Sequence, residues 1–249
     1  MNDITVEVRG LSKVYRSPGE DIEVFSHVNW QASGEKTVAV IGESGVGKST
    51  FLHVLGQLTL PTEGEVFLNG RNLTLLDDNT RARILKNDIA FVFQFFQLFN
   101  DLTLRENIYI AARMTYNEKE ALERTDAVIE DLGLSHRRSH IVSLLSGGEK
   151  QRTAIGRALV KDPVLILADE PTGNLDERHS DEIMDLLLAL QKKRNCAFVM
   201  VTHNRAMAGR CDRVLVRLLS DDVIEIEDNG AGIPVEKHHQ TKKHTNTGY

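Results

Sequence analysis

The stretch Gly42 to Thr50 reads GESGVGKST and fits the pattern G-x-x-x-x-G-K-[ST]. It follows the short apolar run Thr37-Val-Ala-Val-Ile41 and precedes Phe51-Leu52-x-Val54-Leu55, so a buried strand turns through glycines into a helix. Such a turn gathers backbone N–H groups in one concavity at the positive end of a helix dipole, and phosphate is the natural occupant. Gly42, Gly45 and Gly47 let the backbone approach the oxygens, with Ser44 and Thr50 in the same loop. Lys48 is placed to reach terminal phosphates, and Ser49 to offer its hydroxyl to Mg²⁺. Nucleotide binding is the premise this loop supports; a glycine-rich turn with a surface lysine is the plain alternative.

A second group of reactive side chains lies further along. Val164-Leu-Ile-Leu-Ala168 is a compact buried strand ending in Asp169-Glu170 and Pro171. Two carboxylates at the carboxyl end of a strand are poorly placed for packing and well placed for chemistry at the sheet edge. Asp169 suits the Mg²⁺ shell, and Glu170 suits the polarisation of an attacking water, although an acidic strand end can also serve only as a cap. Ala197-Phe-Val-Met-Val201 is another buried strand, and it ends in Thr202-His203. The same sheet edge would then hold His203, Glu170 and Lys48, which favours a catalytic histidine over a structural one. In Leu144-Leu-Ser-Gly-Gly-Glu-Lys-Gln-Arg152, Ser146 and Glu149 form a capping box that predicts a helix start. A cap needs no pair of glycines. Gly147 and Gly148 open N–H groups to outside approach at a positive helix end, a second potential phosphate site.

The elements that must position these groups can be read from the period of the apolar residues. Ile4, Val6 and Val8 alternate with polar residues as in a half-buried strand, and Glu65 to Gly70 reads as another short strand, so the front of the chain is β-rich. Tyr15 falls near the turn-like Ser17-Pro-Gly-Glu20, where its ring either stacks on a purine or packs as an ordinary tyrosine. Ile89-Ala-Phe-Val-Phe93 is a buried-type strand ending in Gln94, followed by the aromatic FFQLFNDLT. Phe95, Phe96, Leu98 and Phe99 belong to the core by default and to a partner groove otherwise. From Arg105 to Leu132 the period becomes helical, which predicts a helical subdomain. Val214-Leu-Val216 and Ile224-x-Ile226 flank Ser220-Asp-Asp222 as in a hairpin. Beyond Asp228 the composition predicts a weakly structured tail, residues 229–249.

Composition sets bounds. The chain has 249 residues, 41% hydrophobic, with 30 Lys plus Arg against 36 Asp plus Glu, a formal net charge of −6. That suits one large α/β domain, and no nucleic-acid partner is expected of so acidic a chain. Cys196 and Cys211 have no metal-ligand spacing and read as reduced structural thiols. No apolar stretch reaches the length of a membrane span, and MNDITVEVRG lacks a secretory h-region, so the polypeptide is expected to be soluble where it is made.

Taken in order, Tyr15, GESGVGKST, Gln94, LSGGEKQR, LILADEP, Asn174-Leu-Asp176 and His203 resemble the motifs of the ATP-binding cassette (ABC) ATPases over Ile4 to Asp228. LSGGEKQR is decisive, because phosphate-loop kinases and GTPases share the first element but not a Ser-Gly-Gly helix start before a strand ending in Asp-Glu. The resemblance implies an α/β fold: a P-loop NTPase core with an N-terminal antiparallel β subdomain and an inserted α-helical signature subdomain at about 95–160, in an ATPase domain of residues 1–228. It implies ATP and Mg²⁺ as ligands, with two copies packed head to tail around two ATP in a homodimer. Lys48, Ser49 and Gln94 would serve phosphates and metal, with Asp169 as a metal residue and Ser146, Gly147 and Gly148 supplied in trans. Tyr15 would meet adenine, Asp176 would line the nucleotide site, and Glu170 and His203 would act in hydrolysis. It implies an integral membrane permease docked at the Gln94 to Asn107 region, and a peripheral place on the cytoplasmic face of the membrane. ALVKDPVLILADEPTGNLD and FLHVLGQLTLPTEGEV resemble the lipoprotein-releasing and macrolide-export subgroup, although Gly156 stands where that group usually has alanine. A cell-division relative in the same subgroup gives the alternative of a mechanotransmitting ATPase.

Overall fold

The computed structural model of the chain describes residues 4–33, 37–42, 45–216 and 225–228. Ser44, the turn around Ser220-Asp-Asp222 and the tail from Asn229 lie outside these residues. The strands are β1 (Thr5–Ser17), β2 (Glu20–Ser33), β3 (Thr37–Ile41), β4 (Glu63–Leu68), β5 (Arg71–Asn72), β6 (Ile89–Val92), β7 (Leu165–Asp169), β8 (Ala197–Thr202), β9 (Arg213–Val216) and β10 (Glu225–Asp228). The helices are α1 (Lys48–Leu55), α2 (Asp78–Asn87), α3 (Leu104–Thr115), α4 (Glu118–Asp131), α5 (Gly147–Leu159), α6 (Glu177–Arg194) and α7 (Arg205–Ala208).

Two sheets form. The first is antiparallel in the order β2-β1-β4-β5, and the second runs β10-β9-β3-β8-β7-β6, parallel except for β10 against β9. The parallel strands are apolar on both faces because both faces are covered. Ala39, Ile41, Ile166, Ala168, Phe198 and Met200 point into one cluster with Ile108 of α3, Ile129 of α4, Ile155 of α5 and Met184 of α6. Val38, Val40, Leu165, Leu167, Val199 and Val201 point the other way, into a cluster with Val6, Phe25, Trp30, Phe51 and Leu55. Strand alternation therefore separates two cores, one built with the helices and one with α1 and the antiparallel sheet.

Two close approaches lock the layers. Phe51 on α1 meets Phe25 and Trp30 of β2 edge to face, at 5.9 and 6.3 Å between centroids. A side chain at Gly156 would stand 2.6 Å from Leu132 and 2.8 Å from Ile108, so the glycine lets α5 lie close against α3 and the carboxyl end of α4. Two elements differ from the expected pattern. Helix α2 interrupts the β-rich front, and Ile84 is its one buried residue, so its sequence carries no apolar period to read. The helical stretch expected from Arg105 to Leu132 breaks at Tyr116-Asn117, where Asn117 caps α4 by accepting from Glu120 N.

Candidate nucleotide site

The order β3-β8-β7-β6 sets the site, because the loops leaving these parallel strands emerge side by side along one carboxyl edge. In sequence along that edge come Gly42 after β3, His203 after β8, Glu170 after β7 and Gln94 beyond β6. Gly45 and Gly47 have φ of 85° and 89°, the left-handed region that favours glycine. At Gly47 a side chain would also fall 2.2 Å from Val24, so β2 is pressed against the loop. Gly47 is the N-cap of α1 and supplies no side-chain bond to its first turn. Lys48 is 7% exposed, and its Nζ donates to the Gly42 carbonyl at 2.9 Å, drawing the ammonium back over the loop. Thr50 lies in the first turn of α1, half-buried.

Ser49 Oγ donates to Asp169 Oδ1 at 2.9 Å, joining the start of α1 to the end of β7. Burial pushes the Asp169 carboxyl above the usual carboxylate range, partly offset by the bond from Ser49. A hydroxyl and a carboxylate oxygen, held together where burial penalises negative charge, form a hard donor pair that fits Mg²⁺.

Glu170 occupies the left-handed region at φ 45°, a costly place for a non-glycine residue. Its N–H donates to the Val201 carbonyl at 3.0 Å. Its two carboxylate oxygens are each engaged, Oε1 with His203 Nδ1 at 2.9 Å and Oε2 by the Thr202 hydroxyl at 3.1 Å. With Glu170 ionised, the proton of the histidine pair sits on Nδ1, leaving Nε2 for another group. Thr202, buried, was not singled out in the sequence; its place directly before His203 is the signal that points to it.

Gln94 faces the loop after β7. The Asn174 amide donates to the Gln94 carbonyl at 2.8 Å, and a side chain at Gly173 would fall 3.0 Å from Gln94 Nε2. Beyond Gln94 the backbone is clamped: Asn107, fully buried, accepts from Phe99 N at 2.9 Å and donates to the carbonyls of Phe99 and Thr103 at 3.0 Å, while Arg157 of α5 donates to the Gln97 carbonyl. The aromatic cluster is not a core element throughout. Phe95 is 70% exposed and Phe99 54%, whereas Leu98 packs on the helical core.

Ser146 caps α5 as its spacing predicted. It accepts from Glu149 N at 3.3 Å, and its own N–H donates to the Glu149 carboxylate at 2.9 Å. Burial raises the Glu149 carboxyl, but bonds from Ser146 and Arg137 outweigh it and hold the group below its usual range. Gly147 is exposed, and Gly148 lies against His179, a side chain there reaching 3.3 Å from the ring. Asp176 caps α6, accepting from His179 N at 3.0 Å and meeting its Nδ1 at 2.6 Å, which lowers the Asp176 carboxyl. Tyr15 sits near the β1–β2 turn, 43% exposed, with Lys13 Nζ 4.8 Å from the ring centre. Cys196 and Cys211 are buried and not joined in a disulfide, and burial pushes their thiols up to about 11 and about 12.

Residues 25–173 match the profile of the ABC transporter family. The chain belongs to the ABC transporter ATPases. The cassette is 40% identical over 217 residues to the lipoprotein-releasing system ATP-binding protein LolD of Coxiella burnetii, covering 86% of this chain and 93% of the relative. It is 42% identical over 217 residues to LolD of Legionella pneumophila, covering 87% and 96%. In three dimensions it is similar to the ATP-binding cassette MJ0796, solved as a post-hydrolysis dimer with ADP and Pi, with a TM-score of 0.81 at 34% identity over 90% of this chain and 98% of that one. Its α/β fold is that of the P-loop NTPases, and it is an ATP-binding and ATP-hydrolysing subunit of an ABC transporter. Among the described residues of the cassette, no helix is long and apolar enough to cross a membrane.

Proposed function

We propose that this cassette hydrolyses ATP as a head-to-tail homodimer that drives a separate membrane permease, on the cytoplasmic face, in the release or export of a lipoprotein or similarly lipidic substrate. The observation that carries the reading is the gathering of Lys48, Ser49, Asp169, Glu170 and His203 at the ends of β3, β7 and β8. LolD relatives, named for lipoprotein release, support the substrate class, and the dimeric MJ0796 structure supports the assembly.

In this reading the first turn of α1 receives the phosphates, and Lys48 exchanges the Gly42 carbonyl for terminal phosphate oxygens. Ser49, Asp169 and Gln94 hold Mg²⁺, which supplies charge neutralisation of the phosphates when bound. Glu170 takes the proton of the attacking water on its carboxylate, with Thr202 and His203 fixing its orientation. His203, with Nδ1 held by Glu170, turns Nε2 toward the γ-phosphate. Tyr15 stacks on adenine, and Asp176 borders the nucleotide. Ser146, Gly147 and Gly148 of the second copy close the site, so ATP joins the two chains and its hydrolysis releases them. The exposed Phe95 and Phe99, on a backbone clamped by Asn107 and Arg157, offer the permease an apolar foothold within residues 94–107.

The test is Glu170→Gln. The variant is expected to bind ATP as the parent does, to lose turnover by about 10²-fold or more, and to elute as a dimer in gel filtration with ATP. A chain that stays monomeric with bound ATP would sink the head-to-tail reading.

A further inference from the structure

Helix α5 begins at Ser146, and one turn further on it makes a contact that neither its cap nor its apolar face explains. Gln151 is 1% exposed, and its Nε2 donates to the Pro171 carbonyl at 2.6 Å. Its Oε1 is buried with no hydrogen-bond partner among the described residues. An unpartnered buried amide oxygen is a standing cost that leucine or methionine of similar volume would not incur. The amide is therefore poorly accounted for by stability alone, and what it gains is one bond to one carbonyl.

That carbonyl belongs to the residue after Glu170. Proline fixes its own φ, so the Glu170–Pro171 unit is stiff and displacement of the Pro171 carbonyl displaces Glu170. Glu170 itself sits at φ 45°, a conformation that persists only when its surroundings over-determine it. Those surroundings are identifiable. Thr202 and His203 hold the carboxylate, and Val201 holds the N–H. Ser180 of α6 donates to the Thr172 carbonyl at 3.3 Å. The bond from Gln151 is the one that comes from α5, whose first residue lies beside Ser146.

We infer that Gln151 is a positioning residue for hydrolysis: it ties the helix that starts at Ser146 to the backbone that aims Glu170. The inference rests on the reading of Glu170 as the group that activates water. Its consequence is that closure of Ser146 on a nucleotide of the second copy is felt, through α5 and Gln151, at the Glu170 of the same chain. Binding of ATP does not pass through this bond; the rate of hydrolysis does.

The experiment uses the full-length chain with Gln151→Met and Gln151→Leu, which fill the volume and remove both the donor and the unpartnered oxygen, so folding is retained. Steady-state ATPase, ATP affinity and thermal unfolding are measured beside Glu170→Gln and the double variant Gln151→Met/Glu170→Gln. The expected result is a fall in kcat of about tenfold or more, as for a reacting group displaced by a fraction of an ångström. ATP affinity should stay within about twofold, and the double variant should be no slower than Glu170→Gln alone. Parent-like kcat in both folded Gln151 variants, with Glu170→Gln inactive, overturns the inference and leaves Glu170 in its role. A fall in kcat matched by an equal loss of ATP affinity or of folded protein also overturns it, since Gln151 would then be structural. If Glu170→Gln itself turns over normally, the reading of Glu170 fails instead, and the inference about Gln151 goes with it.

Discussion

Helices α1 and α5 both start at loops suited to phosphate, and they start in opposite ways. At α1 the N-cap is Gly47, left-handed at φ 89°, which gives the first turn no side-chain acceptor. At α5 the N-cap is Ser146, extended at φ −64° and ψ 164°, which forms a complete capping box with Glu149 that Arg137 reinforces. The first helix end carries a nearly buried lysine next to a carboxylate that burial disfavours, so its charges are under tension until a ligand arrives. The second satisfies its own backbone and presents exposed glycine to whatever approaches. The difference teaches a division of labour. In the proposed dimer the α1 end would hold the nucleotide within its own chain, while the α5 end, capped by its own Ser146 and Glu149, would meet the nucleotide of the other copy.

That contrast breaks most visibly at Lys48. Lys48→Ala is expected to abolish ATP binding, with turnover down by about 10²-fold or more; a fluorescent ATP analogue that still binds with parent affinity would show that α1 is not the holding end. Ser146→Ala is expected to cost about 1 kcal/mol of stability, or roughly 2–4 °C in Tm. It should also weaken the ATP-dependent dimer of the Glu170→Gln chain while leaving ATP affinity of the monomer unchanged. Loss of monomer binding would erase the division of labour.

The tension at the first end has a pH signature. The Asp169 carboxyl is raised by burial, so the folded chain holds that proton more tightly than the unfolded chain does. Its contribution favours folding at acid pH and is lost as pH rises from the usual carboxylate range through the raised value. Asp169→Asn is accordingly expected to raise Tm at neutral pH, with the gain shrinking as pH falls toward 4, and to lose Mg²⁺-dependent turnover. A Tm below the parent's at neutral pH would contradict the account. Smallest of all is Gly148→Ala. Its methyl meets only the His179 ring, at 3.3 Å, so Tm should move by no more than about 2 °C. Dimer formation should nevertheless suffer, because the methyl covers the approach to the exposed helix end.

Much of this contrast was legible in the residues themselves. Strands β3, β7 and β8 announced themselves because both their faces are buried, leaving continuous apolar runs that end at Gly42, Asp169 and Thr202. The box of Ser146 and Glu149 was readable because capping is local. Helix α2 was not, since burying Ile84 alone leaves no period. Nor was Gln151, because a glutamine on a helix gives no sign of which face is buried until Pro171 is folded against it. The exposure of Phe95 and Phe99 was equally hidden: whether an aromatic cluster faces inward depends on the backbone clamp from Asn107, nearby in the chain, and from Arg157, 60 residues beyond Gln97.

The strand order also dictates a timetable. Strand β3, which carries the glycine loop, has β8 and β9 as its neighbours, and both are made near the end of the described chain. On the ribosome, the glycine loop after β3 therefore emerges early, but its strand cannot pair with β8 until synthesis has passed Thr202. The antiparallel sheet of β1, β2, β4 and β5 closes from local pieces long before that. Until the late strands arrive, both edges of β3 lack their partners β8 and β9 and stay open to solvent or to a chaperone, even where α1 already packs on Phe25 and Trp30.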